Sequence, residues 1–316
     1  MMLFCAGLVV FSAAAAIASL LSGFGARLFL PALRRIEPER RLTFLHALLA
    51  APWLLGVYGL LLSVGPCLHQ IVLGLPDGCD EHGGEIELCL FHPSQATFLG
   101  AVVSVLCALP LLVALGRIAA GVRSSRQLLR RVLPLSRRND EGILLTPGSG
   151  SFVAGWPTAE ICVGRDLGKT LSAGALRAVV AHEIAHVRRG DLHRRLAARL
   201  LSAVHFPRGA RLLAAEFDLA TEQACDAEAA DAVSDPLLVA QALVDVARLG
   251  AAPGGFASAF TDGPLEERVR ALCAPAWTHP GVAWLVLPAV AVFTGGMAFS
   301  RSVHDVSERL VQLLGS

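Results

Sequence analysis

The sequence predicts a mostly α-helical fold in which four transmembrane helices carry an inserted α+β domain with a small β-sheet. Of the 316 residues, 54% are apolar and 17% are charged, and the mean hydropathy is +0.58. A soluble protein of ordinary composition is about 25% charged. The deficit lies in four blocks without Asp, Glu, Lys or Arg, each longer than the roughly 20 residues that cross a bilayer as a helix: 1–26, 42–76, 88–116 and 271–300. An integral membrane protein with one soluble part is therefore predicted.

The sign of the charges between these blocks predicts how the spans are oriented. Residues 27–41 contain five arginines, whereas the loop 66–95 contains five acidic residues and no Lys or Arg. Positively charged loops stay in the cytoplasm, so residues 27–41 are placed inside and the acidic loop outside. The N-terminus is then outside, and because the number of spans is even, the C-terminus is outside as well. Arginines that follow the first block favour an uncleaved anchor over a signal peptide. We therefore expect a multi-pass protein of the cell membrane. The spans are placed near residues 3–25, 43–65, 96–117 and 281–300.

This division predicts three parts of the chain. Residues 1–116 hold three spans and the acidic outer loop, residues 117–272 form the cytoplasmic domain, and residues 273–316 hold the fourth span with a short outer tail. The cytoplasmic part is about one quarter charged and long enough to bury its own core. The net charge of +1 argues against direct binding of nucleic acid. A disulfide in the outer loop, such as Cys79 with Cys89, is left open by the sequence.

Short strands and then two helices are predicted within the cytoplasmic part. Residues 143–146, 151–154 and 160–164 are apolar or β-branched runs separated by Gly and Pro, a pattern typical of a small sheet. A helix begins after Ser172, which can cap it, and ends at Gly190. A second long helix is predicted further on, over residues 211–233.

The first of these helices carries the stretch His182-Glu183-Ile184-Ala185-His186. Residues four apart lie on one helical face, so His182 and His186 can offer two imidazole nitrogens to one zinc ion. Glu183 is placed to take a proton from water activated by the metal, for attack on a peptide carbonyl. We interpret His193 and His205 as packing or surface residues. Because the motif is short, the surrounding sequence has to support it.

A catalytic zinc ion needs a third protein ligand and an open position. Glu222 on the second predicted helix is our candidate, because Asp226 follows on the same face and can accept a hydrogen bond from a ligand histidine. Glu216 and Glu228 share the helix but point in other directions. Cys225 is a further possible ligand, although a lone helical cysteine is more often a core residue.

With these residues in view, the chain resembles the BlaR/MecR-type membrane zinc metallopeptidases, metallopeptidase family fifty-six. The resemblance covers spans and domain from end to end and implies a gluzincin fold with one catalytic Zn²⁺. It implies His182, His186 and Glu222 as ligands and Glu183 as general base. Antibiotic-sensing members continue into an extracellular penicillin-binding domain, so the expectation is a member without that sensor. The motifs that carry the resemblance lie at residues 155–157, 178–191, 205–207, 222–226 and 265–269.

The resemblance implies a zinc metalloendopeptidase that cleaves a cytoplasmic or membrane-proximal protein, by family analogy a transcriptional repressor in a signalling pathway. The chain also resembles the HtpX/Ste-type membrane peptidases, family forty-eight, which act in quality control or processing of membrane proteins. Cys225 and the Arg189-Gly190-Asp191 stretch favour the first family. A non-enzymatic membrane sensor or interaction protein is the third alternative, and the presence of all four chemical residues argues against it. A protein substrate and the lipid bilayer are the expected partners.

Overall fold

The structure is a computed structural model, and it describes most of the chain between residues 2 and 298. Residues 74–95 of the predicted acidic loop, including Cys79 and Cys89, lie outside the described residues, as does most of the predicted outer tail. The described residues are 2–73, 98–249, 258–259, 264–273, 277–278, 283–298, 302 and 306.

Three long apolar helices form the first part of the chain: α1 (Met2–Leu33), α2 (Pro38–Leu73) and α3 (Phe98–Val132). They contain three segments long and apolar enough to cross a membrane, Gly7–Leu33, Pro38–Gly65 and one that runs past α3, Val105–Leu135. Large apolar side chains such as Leu21 and Phe24 are exposed on them, as expected of helices that face lipid. These helices indicate membrane association.

The fourth predicted span coincides with helix α10, which the structure describes from Ala283 to Ala298. The helix is apolar, with no charged residue. Its 16 described residues are fewer than the roughly 20 that cross a bilayer. The fourth span therefore stays a prediction.

Five short strands form one mixed sheet in the order β1-β2-β4-β3-β5. Strands β2 and β4 run parallel, with Leu144 opposite Cys162, and every other pair is antiparallel. The three predicted strands are confirmed to within one residue, whereas the two-residue edge strands β1 and β5 were not predicted. The strands are β1 (Arg137–Arg138), β2 (Leu144–Thr146), β3 (Ser151–Ala154), β4 (Glu160–Gly164) and β5 (Ser258–Ala259).

The remaining described helices pack on this sheet and on α1 and α2. They are α4 (Leu167–Thr170), α5 (Ala173–Arg189), α6 (Asp191–Leu201), α7 (Pro207–Val233), α8 (Pro236–Arg248) and α9 (Leu265–Cys273). Both predicted ends of α5 are confirmed. The Ser172 hydroxyl accepts a hydrogen bond from the Ala175 amide, and Gly190 ends the helix at φ 66°, a left-handed conformation that glycine adopts at little cost.

Helix α7 passes through two hydrophobic cores. Its second half joins α5, α8 and the sheet, where Ala229 packs among residues such as Val179 and Leu243. Its first half packs on the membrane helices, with Phe217 beside Leu45. The second core is therefore shared with α1 and α2. Leu213 and Phe217, one turn apart on α7, are both buried in this second core.

Ion pairs reinforce this contact near the α1–α2 connection. The Arg34 guanidinium donates Nη2 and Nε to the Glu216 carboxylate at 2.6 and 3.1 Å. Arg41, which is 1% exposed, donates to the Gln223 side chain. Glu39 accepts from Arg189, so both α5 and α7 are tied to the ends of the membrane helices.

Candidate metal centre

Helix α5 holds the predicted motif in the interior of the protein. His182 and Glu183 are fully buried, and His186 is 2% exposed. The helix can bury these polar groups because Ala178 and Val179, one turn earlier, pack into the core beside the sheet. Burial of three ionisable side chains on one helix is costly unless each has partners, so their surroundings decide what the site can do.

Glu222 on α7 faces both histidines of this motif. The His182 Nε2 atom lies 3.4 Å from Glu222 Oε2, and the His186 Nε2 atom lies 3.5 Å from Glu222 Oε1. Each of the three side chains offers one ligand atom, and these atoms lie within 4.8 Å of one another. The structure thus brings together the three predicted ligands, and two imidazoles with a carboxylate are a donor set that suits catalytic zinc.

The other ring nitrogen of each histidine faces a carboxylate. Asp226 Oδ1 lies 2.9 Å from His182 Nδ1, and Asp191 Oδ2 lies 2.8 Å from His186 Nδ1. Because an ionised carboxylate only accepts hydrogen bonds, each Nδ1 carries the proton and each Nε2 keeps its lone pair. This is the tautomer that a metal at Nε2 requires. The role proposed for Asp226 from its spacing has the required geometry, and Asp191 was not assigned such a role from the sequence.

Two arginines contact the carboxylates around the histidines. Arg268 on α9 donates Nε and Nη2 to Asp226 at 2.8 and 2.6 Å, and its Nη1 lies 3.2 Å from Glu222 Oε2. Arg195 on α6 donates to the other oxygen of Glu222. Neither contact is readable from local spacing, because each joins helices far apart in the sequence. Glu222 therefore contacts the guanidiniums of Arg195 and Arg268 as well as the two histidines.

The charge of this buried cluster fits a divalent cation. Four buried carboxylates surround the histidines, against two buried guanidiniums and the partly exposed Arg189, which pairs with Asp191. With neutral imidazoles the cluster therefore keeps an excess of negative charge. Burial alone would raise the pKa of Glu222, but the charge of Arg268 and the contacts with His182 and His186 hold it well below its usual range. An anionic Glu222 beside two Nε2 lone pairs is suited to bind metal. The carboxylates are Glu183, Asp191, Glu222 and Asp226, and the guanidiniums are Arg195 and Arg268.

Glu183 differs from the other carboxylates of the cluster. Its Oε1 accepts a hydrogen bond of 2.9 Å from the Ser151 hydroxyl on β3. Its Oε2 is buried and has no hydrogen-bond partner among the described residues. Burial raises the pKa of Glu183, although the hydrogen bond from Ser151 acts in the opposite direction. A buried carboxylate oxygen without a hydrogen-bond partner in the protein is typical of a general acid or base.

The alternative ligands considered from the sequence lie elsewhere. Glu216 is held by Arg34, and Glu228 accepts hydrogen bonds from Arg188 and Arg189. Their distance from the histidines follows from the angular spacing of α7. Cys225 lies nearer to the histidines.

The buried Cys225 thiol lies behind His186, on the side away from Glu222. Its Sγ atom is 3.2 Å from His186 Nδ1 and 3.1 Å from Asp191 Oδ2. Burial raises the pKa of the thiol to about 12, even with His186 beside it. These three residues form a second possible ligand group, but a protonated thiol that donates to Asp191 supports the orientation of His186 instead.

The remaining two histidines have contacts of their own. His193 stacks against Trp156, with ring centroids 4.5 Å apart. His205 is buried, and its Nε2 lies 3.1 Å from the Leu49 carbonyl oxygen. His193 is exposed and His205 is buried, in line with the expectation of surface or packing residues.

Comparison with known proteins gives a family match for part of the chain. Residues 133–252 match the model of peptidase family M48. This segment begins just after α3 and contains every predicted ligand together with Glu183. The match indicates a peptidase, and peptidases of this family are generally zinc-dependent. It corresponds to the second of the two resemblances seen in the sequence, so the BlaR/MecR type stays a prediction. No curated protein and no solved structure matches the chain.

Proposed function

We propose that this protein is a zinc-dependent endopeptidase that cleaves proteins at the cytoplasmic surface of the cell membrane. The observation that carries the proposal is the convergence of His182, His186 and Glu222, with Glu183 beside them and its Oε2 available. The match of residues 133–252 to a peptidase family supports the same reaction. A non-enzymatic membrane sensor would not need a buried carboxylate oxygen without a partner.

In this proposal His182, His186 and Glu222 hold the metal, and Asp226 and Asp191 keep the two imidazoles in the tautomer that binds it. Zinc held there supplies Lewis-acid chemistry, since it polarises a carbonyl group and lowers the pKa of water.

Glu183 moves the proton that the reaction has to transfer. Its Oε2 accepts a proton from the attacking water, and the same carboxyl then delivers a proton to the amine that leaves. The Ser151 hydroxyl holds Oε1, so the carboxylate keeps one orientation while Oε2 reacts. The raised pKa of Glu183 makes it a stronger base than an exposed glutamate.

A small cavity adjoins the site on the side of His186. It has a volume of about 140 Å³, and Val153 of β3, Val187 and Leu192 contribute to its apolar lining. Asp191 and His193 supply polar groups there. We propose that it receives one side chain of the substrate, and its size favours a small or medium apolar residue.

The biological role has two candidates, each with an observation in its favour. The match to peptidase family M48 favours processing or quality control of membrane proteins. Cys225 and the Arg189-Gly190-Asp191 stretch support the BlaR/MecR type, in which the substrate is a transcriptional repressor. In both cases the ties of Glu39 and Arg34 to α5 and α7 keep the site close to the membrane.

The experiment that tests the proposal compares new protein N-termini in cells that carry the wild-type chain, Glu183→Gln or Glu228→Gln. Glu228 is a matched control, since it is a glutamate of α7 paired outside the cluster. We expect a set of cleavages in membrane or cytoplasmic proteins that is present in wild type and Glu228→Gln and absent in Glu183→Gln. A set that persists in Glu183→Gln would overturn the proposal. A repressor in the set supports the signalling role, and damaged membrane proteins support quality control.

A further inference from the structure

A second and larger cavity lies away from the metal centre, between α1, α3 and the turn that joins α6 to α7. Its volume is about 790 Å³, within the range of about 300–1,000 Å³ that is common for ligand sites. Phe11 of α1 and Val113 of α3 contribute to its walls, and Phe206 lines it from the turn. Val113 and Phe206 remain 43% and 46% exposed. The walls are thus apolar and incompletely covered by protein.

The turn between α6 and α7 reaches into the apolar part of the membrane helices. Trp53 Nε1 donates to the Leu201 carbonyl at 3.0 Å, and the Phe206 amide donates to Ser19 Oγ at 2.7 Å. Ser19 lies about seven residues inside the charge-free block that ends at Ala26, a depth of about 10 Å along a helix. Leu49, beside His205, lies about as far inside the block that begins at Leu42. The turn therefore enters the leaflet on the arginine-rich side, and the cavity opens at that depth.

Three arginines line this cavity: Arg117, Arg199 and Arg211. No acidic residue is among the described residues of its lining. Arg117 follows directly on the third charge-free block, at the end that we place at the cytoplasmic surface. Arginines at the edge of a pocket between membrane helices attract anionic headgroups. The cavity thus combines apolar walls with a cationic rim.

We propose that this cavity binds an anionic glycerophospholipid of the cytoplasmic leaflet, with an acyl chain along Phe11 and Val113 and the phosphate at the arginines. Anionic lipids are concentrated in that leaflet, and basic pockets between membrane helices bind their headgroups. A zwitterionic lipid has no net negative charge to complement a lining with three arginines and, among its described residues, no acidic one. A substrate helix would need a groove about 10 Å wide along its length, and it would offer no phosphate.

The test uses the full chain purified in a non-ionic detergent and native mass spectrometry with equal amounts of phosphatidylglycerol and phosphatidylcholine. We expect about tenfold more bound phosphatidylglycerol than phosphatidylcholine on the wild-type protein. The double variant Arg199→Gln/Arg211→Gln should lose this preference. The matched control Arg123→Gln/Arg130→Gln removes two exposed arginines of α3 outside the cavity lining and should keep it.

A further variant separates the cavity from the general charge of the protein. Ala114→Phe fills the apolar part while it leaves every arginine in place, and it should reduce phosphatidylglycerol binding about tenfold. Thermal unfolding without added lipid checks that each variant is folded. Equal binding of both lipids to wild type would overturn the proposal, as would normal binding by Ala114→Phe or an equal loss in the control. Because the readout is lipid binding, the result does not depend on peptidase activity.

Discussion

Arg268 donates two hydrogen bonds to the carboxylate of Asp226, from Nε at 2.8 Å and from Nη2 at 2.6 Å, and both residues are 1% exposed. Asp226 in turn lies 2.9 Å from His182 Nδ1. The orientation of a candidate zinc ligand on α5 thus depends on an arginine of α9, through a carboxylate of α7. A planar guanidinium is suited to this role, because its fork matches a carboxylate with two parallel hydrogen bonds.

Replacing Arg268 should weaken both folding and metal binding. Arg268→Met leaves Asp226 without its buried partner, and breaking such a pair costs about 3–5 kcal/mol. The affinity for zinc should fall by roughly 10- to 100-fold, as it does when the partner of a ligand histidine is lost. Zinc titration and the free energy of unfolding in detergent measure both effects. Arg270→Met, which removes an exposed arginine of the same helix, should change neither.

Asp191 should support the other histidine in the same way. Asp191→Asn removes the negative charge 2.8 Å from His186 Nδ1, so zinc affinity should fall by roughly 10- to 100-fold. A competition assay with a zinc-binding dye measures the dissociation constant. Asp245→Asn on α8 is the control, since Asp245 pairs with Gln241 and Arg248 outside the cluster. Equal affinities of wild type and Asp191→Asn would mean that the carboxylate does not orient His186.

Ser151 should act on the reaction rather than on the metal. Its hydroxyl donates to Glu183 Oε1, and a hydrogen bond to a charged group contributes about 1.5–3 kcal/mol. Ser151→Ala should therefore lower kcat on the order of tenfold and leave the zinc content unchanged. Ser136→Ala, which alters a hydroxyl bonded to the Val132 carbonyl, serves as the control. If Ser151→Ala retained full kcat, Glu183 would be held by other contacts.

The contact between Arg34 and Glu216 should stabilise the attachment of α7 to the membrane helices. A double-mutant cycle with Arg34→Gln and Glu216→Gln should give a coupling energy of about 1–3 kcal/mol, because the pair is bidentate and Glu216 is buried. The exposed pair Arg270 and Glu266 should give about 0.3–0.5 kcal/mol in the same experiment. A coupling of Arg34 with Glu216 as small as that of the exposed pair would contradict this account.

Local patterns predicted the part of the site that lies on α5 and α7. The spacing of His182 and His186 and the caps at Ser172 and Gly190 are properties of one helix, so periodicity reveals them. Glu222 could be predicted as a ligand because Asp226 lies on the same face of a second predicted helix. The two-residue strands β1 and β5 are too short to leave a pattern, and they form because neighbouring strands offer hydrogen bonds.

The contacts that hold the site together could not be predicted from the sequence. Arg268, Arg195 and Ser151 reach the cluster from α9, α6 and β3, and no spacing along one element relates them to the histidines. The contacts of the α6–α7 turn with α1 and α2 could not be predicted for the same reason. Such contacts depend on tertiary packing, which local propensity does not encode.

The most direct test of the central claim is the zinc content of the purified full chain, measured by elemental mass spectrometry for wild type, Glu183→Gln and His186→Ala. We predict about one zinc ion per chain in wild type and Glu183→Gln, since a catalytic site holds one ion and Glu183 is not a ligand. The His186→Ala variant should hold little or none. Wild-type protein that binds no zinc, or His186→Ala protein that binds as much as wild type, would contradict the assignment of this metal centre.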